Sequence, residues 1–457
     1  MLIGSVAALA AATQPVPART LQEALSLAYA NNPTLLAARA NLRSVDENVP
    51  AALAGWRPTV TLGGSGGAAT GKSLTALGKT RNDVSENRNV NSLTGTVTQP
   101  LYRGGRTVAS TNRAENLVNA QRAALLATEQ SVFGNVITAY INVIQDQQIL
   151  ALDVNNEQVL AEQLRATNDR FRVGEITRTD VAQAEAALAG ASATREGAVG
   201  TLATAQASYE QYVGERALAL VEPQPLKLPT ATLDEARALA STNNPNVVQA
   251  LFTDAAARDF VDVQYSALMP NLSLQGQVFR NQNTQSNGLI QSGTSLLATV
   301  TVPIYQGGAE YASIRQARQS EQQARKQVDD ARRASVQAVV SAWQTYQSQR
   351  ASVASTQAAV RANDIALEGV EREAIVGSRT TLDVLNAQQA LLQSRTTLVQ
   401  VLATFVNASY SVGAAVGRLT ARDLGLGVPL YDETAYYKAV HNLWIGTGDF
   451  ATDQPGR

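Results

Sequence analysis

The chain says nearly the same thing twice, in the same order, about two hundred residues apart, and that constrains it to fold around a duplicated unit far longer than a small solenoid repeat. LQEALSLAYANNP (Leu21 to Pro33) returns as LDEARALASTNNP (Leu233 to Pro245), and Arg57-Pro58 returns as Met269-Pro270, at an offset of 212. VTQPLYRGG (Val97 to Gly105) returns as VTVPIYQGG (Val300 to Gly308), and FRVGEITRTDVAQAEAAL (Phe171 to Leu188) as AIVGSRTTLDVLNAQQAL (Ala374 to Leu391), at an offset of 203. The nine residues lost in the second copy therefore fall between Pro270 and Pro303. The expected organisation is a first repeat over 13–224, a second over 225–420 and a C-terminal tail over 421–457.

The residue inventory removes most chemistry. Among 457 residues there is no Cys and one His, His441, which excludes thiol nucleophiles, disulfides, His-rich metal sites and Ser-His-Asp triads. No enzyme, cofactor or metal is expected, and His441 reads as a surface or packing residue. A net charge of −1 offers no concentrated basic face for nucleic acid. Residues 1–12, apolar with Ala-x-Ala spacing, read as the core and cleavage site of a secretory signal whose basic start is missing. After Ala12 no stretch approaches the ~20 apolar residues of a spanning helix, and without Cys no lipid can be attached through a thiol. Membrane insertion is therefore expected from strands.

Between Pro100 and Pro223, and again between Pro303 and Pro429, there is no proline, and Ala, Gln, Leu, Arg and Glu dominate. These are strong helix formers. Apolar residues recur at helical spacing in Phe133, Ile137, Tyr140 and Ile144, matched by Val336, Val340 and Trp343, and are expected to pack between helices. A helix from about Arg106 to Arg170 would be roughly 100 Å long. Val173-Gly174 and Val376-Gly377 then break it, and a second helix starts near Thr179 or Thr381, so each repeat predicts a long helical hairpin with Gly at its tip.

Before each hairpin the period changes to two. Leu93, Gly95 and Val97 alternate with Ser92, Thr94, Thr96 and Thr98; Leu296, Ala298 and Val300 alternate with Ser295, Thr299 and Thr301, interrupted by Leu297. Val60 and Leu62, then Leu272 and Leu274, do the same upstream, giving four strands. The Gly-, Ser- and Asn-rich segments 63–89 and 280–288 between them are expected to be loops. Such alternation suits a half-buried soluble strand or a membrane barrel with a wet interior. A sheet attached to ~100 Å helices has no evident core of its own, and four strands cannot close a barrel in lipid by themselves. The fold class is α+β, mainly α.

The paired NNP segments, the VTQPLYRGG and VTVPIYQGG junctions and the paired tips, in this order, resemble the outer-membrane efflux protein family, the TolC-type channel-tunnels, over nearly the whole chain. The run Leu424 to Gly446 further resembles tails of the type I secretion branch. The resemblance implies a homotrimer with a shared twelve-stranded barrel in outer-membrane lipid and a helical barrel crossing the periplasm. It also implies closure at the periplasmic end, released by an inner-membrane transporter, of ABC type in the secretion branch, and a periplasmic adaptor. Protein secretion is expected first and small-molecule efflux second. A periplasmic hairpin adaptor with a soluble sheet is the alternative of another class, although an adaptor should carry one hairpin between lipoyl-like halves.

In that family an Asp ring constricts the pore and an Arg with its hydrogen-bond partners holds the helices closed. TRTDV (Thr177 to Val181) and TTLDV (Thr380 to Val384) match the entrance motifs, so Asp180, Asp383, Arg379, Thr179 and Asn386 are gate candidates, and Val173, Gly174, Val376 and Gly377 are the adaptor-facing tips. Asn386 stands where many relatives have a second Asp, and Ala374 where some have a Tyr, which implies a weaker charge ring and a looser latch. The same Thr-x-x-Asp pairs are also helix-capping chemistry. Leu93, Val97, Leu296 and Val300 are the expected lipid-facing residues. Tyr102 and Tyr305 fit an aromatic interface belt or packing of the strand–helix junction.

Overall fold

The computed structural model describes residues 19–77, 80–448 and 450. Residues 1–12, where a secretory signal is expected, lie outside them. The first repeat contains α1 (Leu21–Asn31), α2 (Pro33–Asp46), α3 (Asn48–Leu53), β1 (Thr59–Leu77), β2 (Thr80–Arg103), α4 (Arg106–Arg172) and α5 (Arg178–Val213). The second contains α6 (Leu233–Asn243), α7 (Pro245–Tyr265), β3 (Asn271–Gln282), β4 (Ile290–Thr301), α8 (Ala309–Ile375) and α9 (Thr381–Val416), followed by a short α10 (Ala435–Val440) in the tail.

The NNP repeat builds one joint twice. Asn32 caps α2 by accepting from the Thr34 amide at 3.0 Å, with Pro33 fixing the first helical φ. Its amide nitrogen donates to the Tyr212 carbonyl at 2.9 Å, near the end of α5. Asn244 caps α7 through the Asn246 amide at 3.0 Å and donates to the Ala415 carbonyl at 3.1 Å, near the end of α9. Each motif thus joins a short helix pair to the returning arm of its own hairpin.

The four strands form one antiparallel sheet in sequence order. Val60 pairs with Val97, Val97 with Gly276 and Gly276 with Leu296, while Leu93 pairs with Arg280 and Leu272 with Val300. With a side-chain period of two, this register puts Val60, Leu62, Leu93, Val97, Val278, Leu296 and Val300 on one face, all exposed. Thr59, Thr61, Thr94, Thr96, Thr98, Gln275, Gln277 and Ser295 share the other. Leu297, opposite Gln275, falls on the polar face. So does Phe279, which lies over Gly293 and covers its bare backbone. The ladder slips between Pro100 and Tyr102, where proline has no N–H to offer it.

The expected loops are shorter than the composition suggests. Residues 63–77 and 80–89 are a continuation of β1 and β2, paired from Gly63 with Thr94 to Leu77 with Thr80. Ladder hydrogen bonds need no apolar side chains, so Gly and Ser do not prevent pairing in a hairpin whose register is already set below. In the second repeat β3 runs to Gln282, and only the short turn before Ile290 is irregular.

Helices α4 and α8 each have 67 residues, close to 100 Å. The glycine pairs that precede them adopt left-handed φ, 61° and 82° at Gly104 and Gly105, 75° and 88° at Gly307 and Gly308, a conformation that turns strand into helix and that side chains resist. A Cβ at Gly104 would also stand 2.5 Å from that of Met269. Returning helices α5 and α9 pack along α4 and α8, and α7 bridges the upper parts of both long helices.

The main core joins α1, α2, the middle of α4 and the end of α5: Leu25, Leu35, Phe133, Ile137, Tyr140 and Tyr209 are fully or almost fully buried. Ala236, Ala240, Val339, Trp343, Val412 and Val416 form its counterpart in the second repeat. The buried stripe of α8 is therefore Ser335, Val339 and Trp343, while Val336 and Val340, expected to match Phe133 and Ile137, are half-buried and line a shallow groove with Arg237 and Arg332. Leu419, just past α9, and Ala421 and Leu426 of the tail complete the first core, and the chain has only one tail. One departure concerns α9, whose composition and length would suffice for a membrane span. Here it is an arm of a hairpin.

Candidate functional site at the hairpin tips

At both tips the chain reverses by the same steps. Gly174 and Gly377 each have φ 81°. The Gly174 amide donates to the Phe171 carbonyl at 3.0 Å and Glu175 to Arg170 at 3.0 Å; Gly377 donates to Ala374 at 3.1 Å and Ser378 to Glu373 at 3.0 Å. These bonds satisfy carbonyls that the ends of α4 and α8 would leave open. Val173 and Val376 are 78% exposed and Ile375 84%, with Phe171 and Leu382 also exposed, so each tip presents an apolar knuckle to its surroundings.

The returning helices begin in full capping boxes. Thr177 and Thr380 are the N-caps; α5 thus starts at Arg178, one residue before the expected Thr179, because Thr177 stays extended. The Asp180 carboxylate accepts from the Thr177 amide at 2.9 Å and hydroxyl at 2.7 Å. Asp383 does the same with the Thr380 amide at 2.9 Å and hydroxyl at 2.8 Å. The hydroxyl and backbone hydrogen bonds from Thr177 hold the Asp180 carboxyl below the usual carboxylate range, and the backbone and hydroxyl bonds from Thr380 do so for Asp383. Both therefore carry full negative charge at neutral pH, fixed in direction by backbone. Thr179 lies exposed on the first turn of α5 and Asn386 exposed on the second turn of α9.

Each tip is also stapled by one ion pair. Arg170 meets Glu175 at 2.6 Å in the first, and Arg379 meets Glu373 at 2.8 Å in the second. Arg170 and Glu373 occupy equivalent positions at the 203 offset while Glu175 corresponds to Ser378, so the second staple has its charges reversed and its far end moved one residue on, to Arg379. Arg379, expected as a latch between helices, is thus engaged within its own tip, where it also feels Asp383. Asp180 and Asp383 are likewise held by local partners, Thr177 and Thr380, and the structure does not bring the two carboxylates together. Glu373 and Glu175 went unnoticed in the sequence; the signal was an opposite charge five or six residues from each Arg across a Val-Gly turn.

A sheet with one apolar and one polar face, carried on two hairpins ~100 Å long, defines an outer-membrane channel subunit whose helices reach into the periplasm. The outer membrane efflux protein family model matches residues 24–215 and 236–418, and the chain belongs to that family. It is 36% identical over 434 residues to outer membrane efflux protein BepC of Brucella suis biovar 1, covering 95% of this chain and 93% of the relative. It is 25% identical over 366 residues to alkaline protease secretion protein AprF of Pseudomonas aeruginosa, covering 76% and 74%. The solved structure of the outer membrane protein VceC of Vibrio cholerae has the same fold, with a TM-score of 0.74 at 18% identity over 87% of this chain and 96% of that one. The protein is a channel of the outer membrane, not an enzyme.

Proposed function

We propose that three copies of the chain close one twelve-stranded barrel and one helical tunnel, through which cargo leaves an inner-membrane transporter for the cell exterior. The observation that carries closure is the open sheet. The order β1-β2-β3-β4 leaves β1 and β4 as edges, and in lipid each unpaired edge group costs several kcal/mol. Edge β4 of one copy meeting edge β1 of the next removes both. The exposed knuckles Val173, Gly174, Val376 and Gly377 are the surface for a periplasmic adaptor, and the fixed carboxylates Asp180 and Asp383 form the constriction. Arg379 tightens it from beside Asp383, and Thr179 and Asn386 line the turns next to it.

Protein cargo delivered by an ABC-type transporter is the reading we favour, supported by the tail and by the secretion named for AprF. Small-molecule efflux is the second; the efflux named for BepC, whose cargo the name does not state, is compatible with it. Single-channel recording in planar bilayers tests the channel. Wild type should form stable cation-selective pores, and Asp180→Ala/Asp383→Ala should lose selectivity. Unchanged selectivity would leave the carboxylates as caps, and a folded protein without pores would overturn the channel.

A further inference from the structure

The C-terminal tail follows α4 toward the membrane. It begins at mid-height, where the Ala421 amide donates to Glu129 at 2.6 Å and the Arg39 guanidinium sits between the Tyr29 and Tyr431 rings, 4.5 and 5.2 Å from their centres. Higher up, Arg122 lies 5.3 Å from the Tyr437 ring, and Tyr437 packs on Val49, Ala114 and Val118. The Tyr436 hydroxyl donates to Glu47 at 2.8 Å. From Glu129 to the start of α4 at Arg106 is about 35 Å at ~1.5 Å per residue, so the tail climbs most of the way from the core to the base of the sheet. There Arg57, two residues before β1, donates to the Leu443 carbonyl at 2.6 Å and lies 5.0 Å from the Trp444 ring.

What this delivers to the strand base is apolar and uncovered: Trp444 is 65% exposed and Ile445 88%. We propose that the tail is an interfacial anchor, with Trp444 and Ile445 seated at the headgroup–acyl boundary of the periplasmic leaflet. The occupant is lipid because the patch lies against Arg57, which follows Trp56 in the chain, and at the end of the sheet where β2 carries Tyr102 and the segment just past β4 carries Tyr305, three aromatic residues that are all exposed. The outer-membrane location puts that end at the membrane surface. Trp and Tyr favour such a surface, where the ring meets acyl chain and the polar edge meets water. Arg57 and Arg103, at the feet of β1 and β2, stand where lipid phosphates would pair with them. The inference rests on the outer-membrane location and is independent of the cargo.

The test makes Trp444 the sole tryptophan, with Trp56→Phe and Trp343→Phe, in assembled full-length protein reconstituted in phosphatidylethanolamine–phosphatidylglycerol vesicles. Expected are a blue-shifted emission, strong quenching by lipids brominated high on the acyl chain, weak quenching by lipids brominated near its end, and little quenching by aqueous iodide. Red-shifted emission open to iodide would overturn the anchor in favour of a tail in water. Emission deaf to both bromine and iodide would overturn it in favour of burial against a neighbouring copy. If the Phe variants fail to assemble, a thiol-reactive polarity probe on Trp444→Cys in the otherwise Cys-free chain reads the same two outcomes.

Discussion

Lysine at Val97 should break membrane insertion, while lysine one residue earlier should not. Apolar positions on the exposed face run along β2 from Leu93 to the level of Tyr102. Nine residues at ~3.3 Å make about 30 Å of strand, and a tilt of ~40° reduces this to about 23 Å of height, close to the ~25 Å apolar band of outer-membrane barrels. Val97 lies about 10 Å below the upper end of that band, near mid-height, on one rung with Val60, Gly276 and Leu296. A lysine facing lipid there costs about 2–4 kcal/mol per copy, or about 6–12 kcal/mol per trimer, falling to about 0–1 per copy near the interfaces. Val97→Lys and Leu296→Lys should therefore lose most heat-modifiable trimer from outer-membrane fractions. Val300→Lys, on the Tyr102 rung, should lose little. Thr96→Lys, between Thr61 and Gln277 on the polar face, should assemble as wild type. Equal damage from Thr96→Lys and Val97→Lys, or none from either, would refute the assignment of faces.

Three further substitutions read other links. The Tyr140 hydroxyl lies 2.9 Å from the Arg19 carbonyl and 2.6 Å from that of Val221, so Tyr140→Phe should cost about 1–2 kcal/mol in urea unfolding and loosen the bridge between Arg19 and Leu220, read by amide exchange. Burial pushes the Asp46 carboxyl up from 3.8 to about 7, against Arg122 and Arg43. Its folded-state value exceeds the unfolded one, so its contribution is full below about pH 4 and is lost as pH rises through about 7. Asp46→Asn should therefore raise the melting temperature most at pH 8, with the gap closing toward pH 4; a gap independent of pH would contradict the burial. Asp383→Ala should speed exchange of the Thr380 and first-turn α9 amides and leave the Thr177 tip unchanged, and acceleration at both tips would show them to be coupled.

Much of this architecture is legible in the chain because its determinants are local. Proline-free helix formers, the Val-Gly turns and the Thr-x-x-Asp caps each specify structure within a few residues, and duplication states each of these twice. The β1–β2 extension is hidden because its pairing depends on backbone alone, which leaves no apolar signature among Gly and Ser. Val336 and Val340 mislead because the helical stripe of α8 is rotated by one residue toward Ser335 and Val339, a displacement set by what α6 and α9 bring against it. The tail's course depends on Arg39, Glu129, Arg122 and Arg57 meeting partners hundreds of residues away, which no local pattern announces. At the tips, the caps could be read from spacing, but the engagement of Arg379 by Glu373 needed the turn to be closed.

The two hairpins of the sheet are unequal. β1 and β2 have 19 and 24 residues, β3 and β4 12 each, and the surplus of the first pair continues beyond Leu93, away from the helices. Around a closed ring of copies, tall and low hairpins would alternate, so the outer mouth would be a crenellated rim with one merlon per subunit. Whatever approaches the cell from outside would touch the Gly-, Ser- and Asn-rich crests before any other part of the protein. As far as Leu77 and Thr80 those crests are held by strand pairing, so how far they stand out is set by strand length and not by an apolar core.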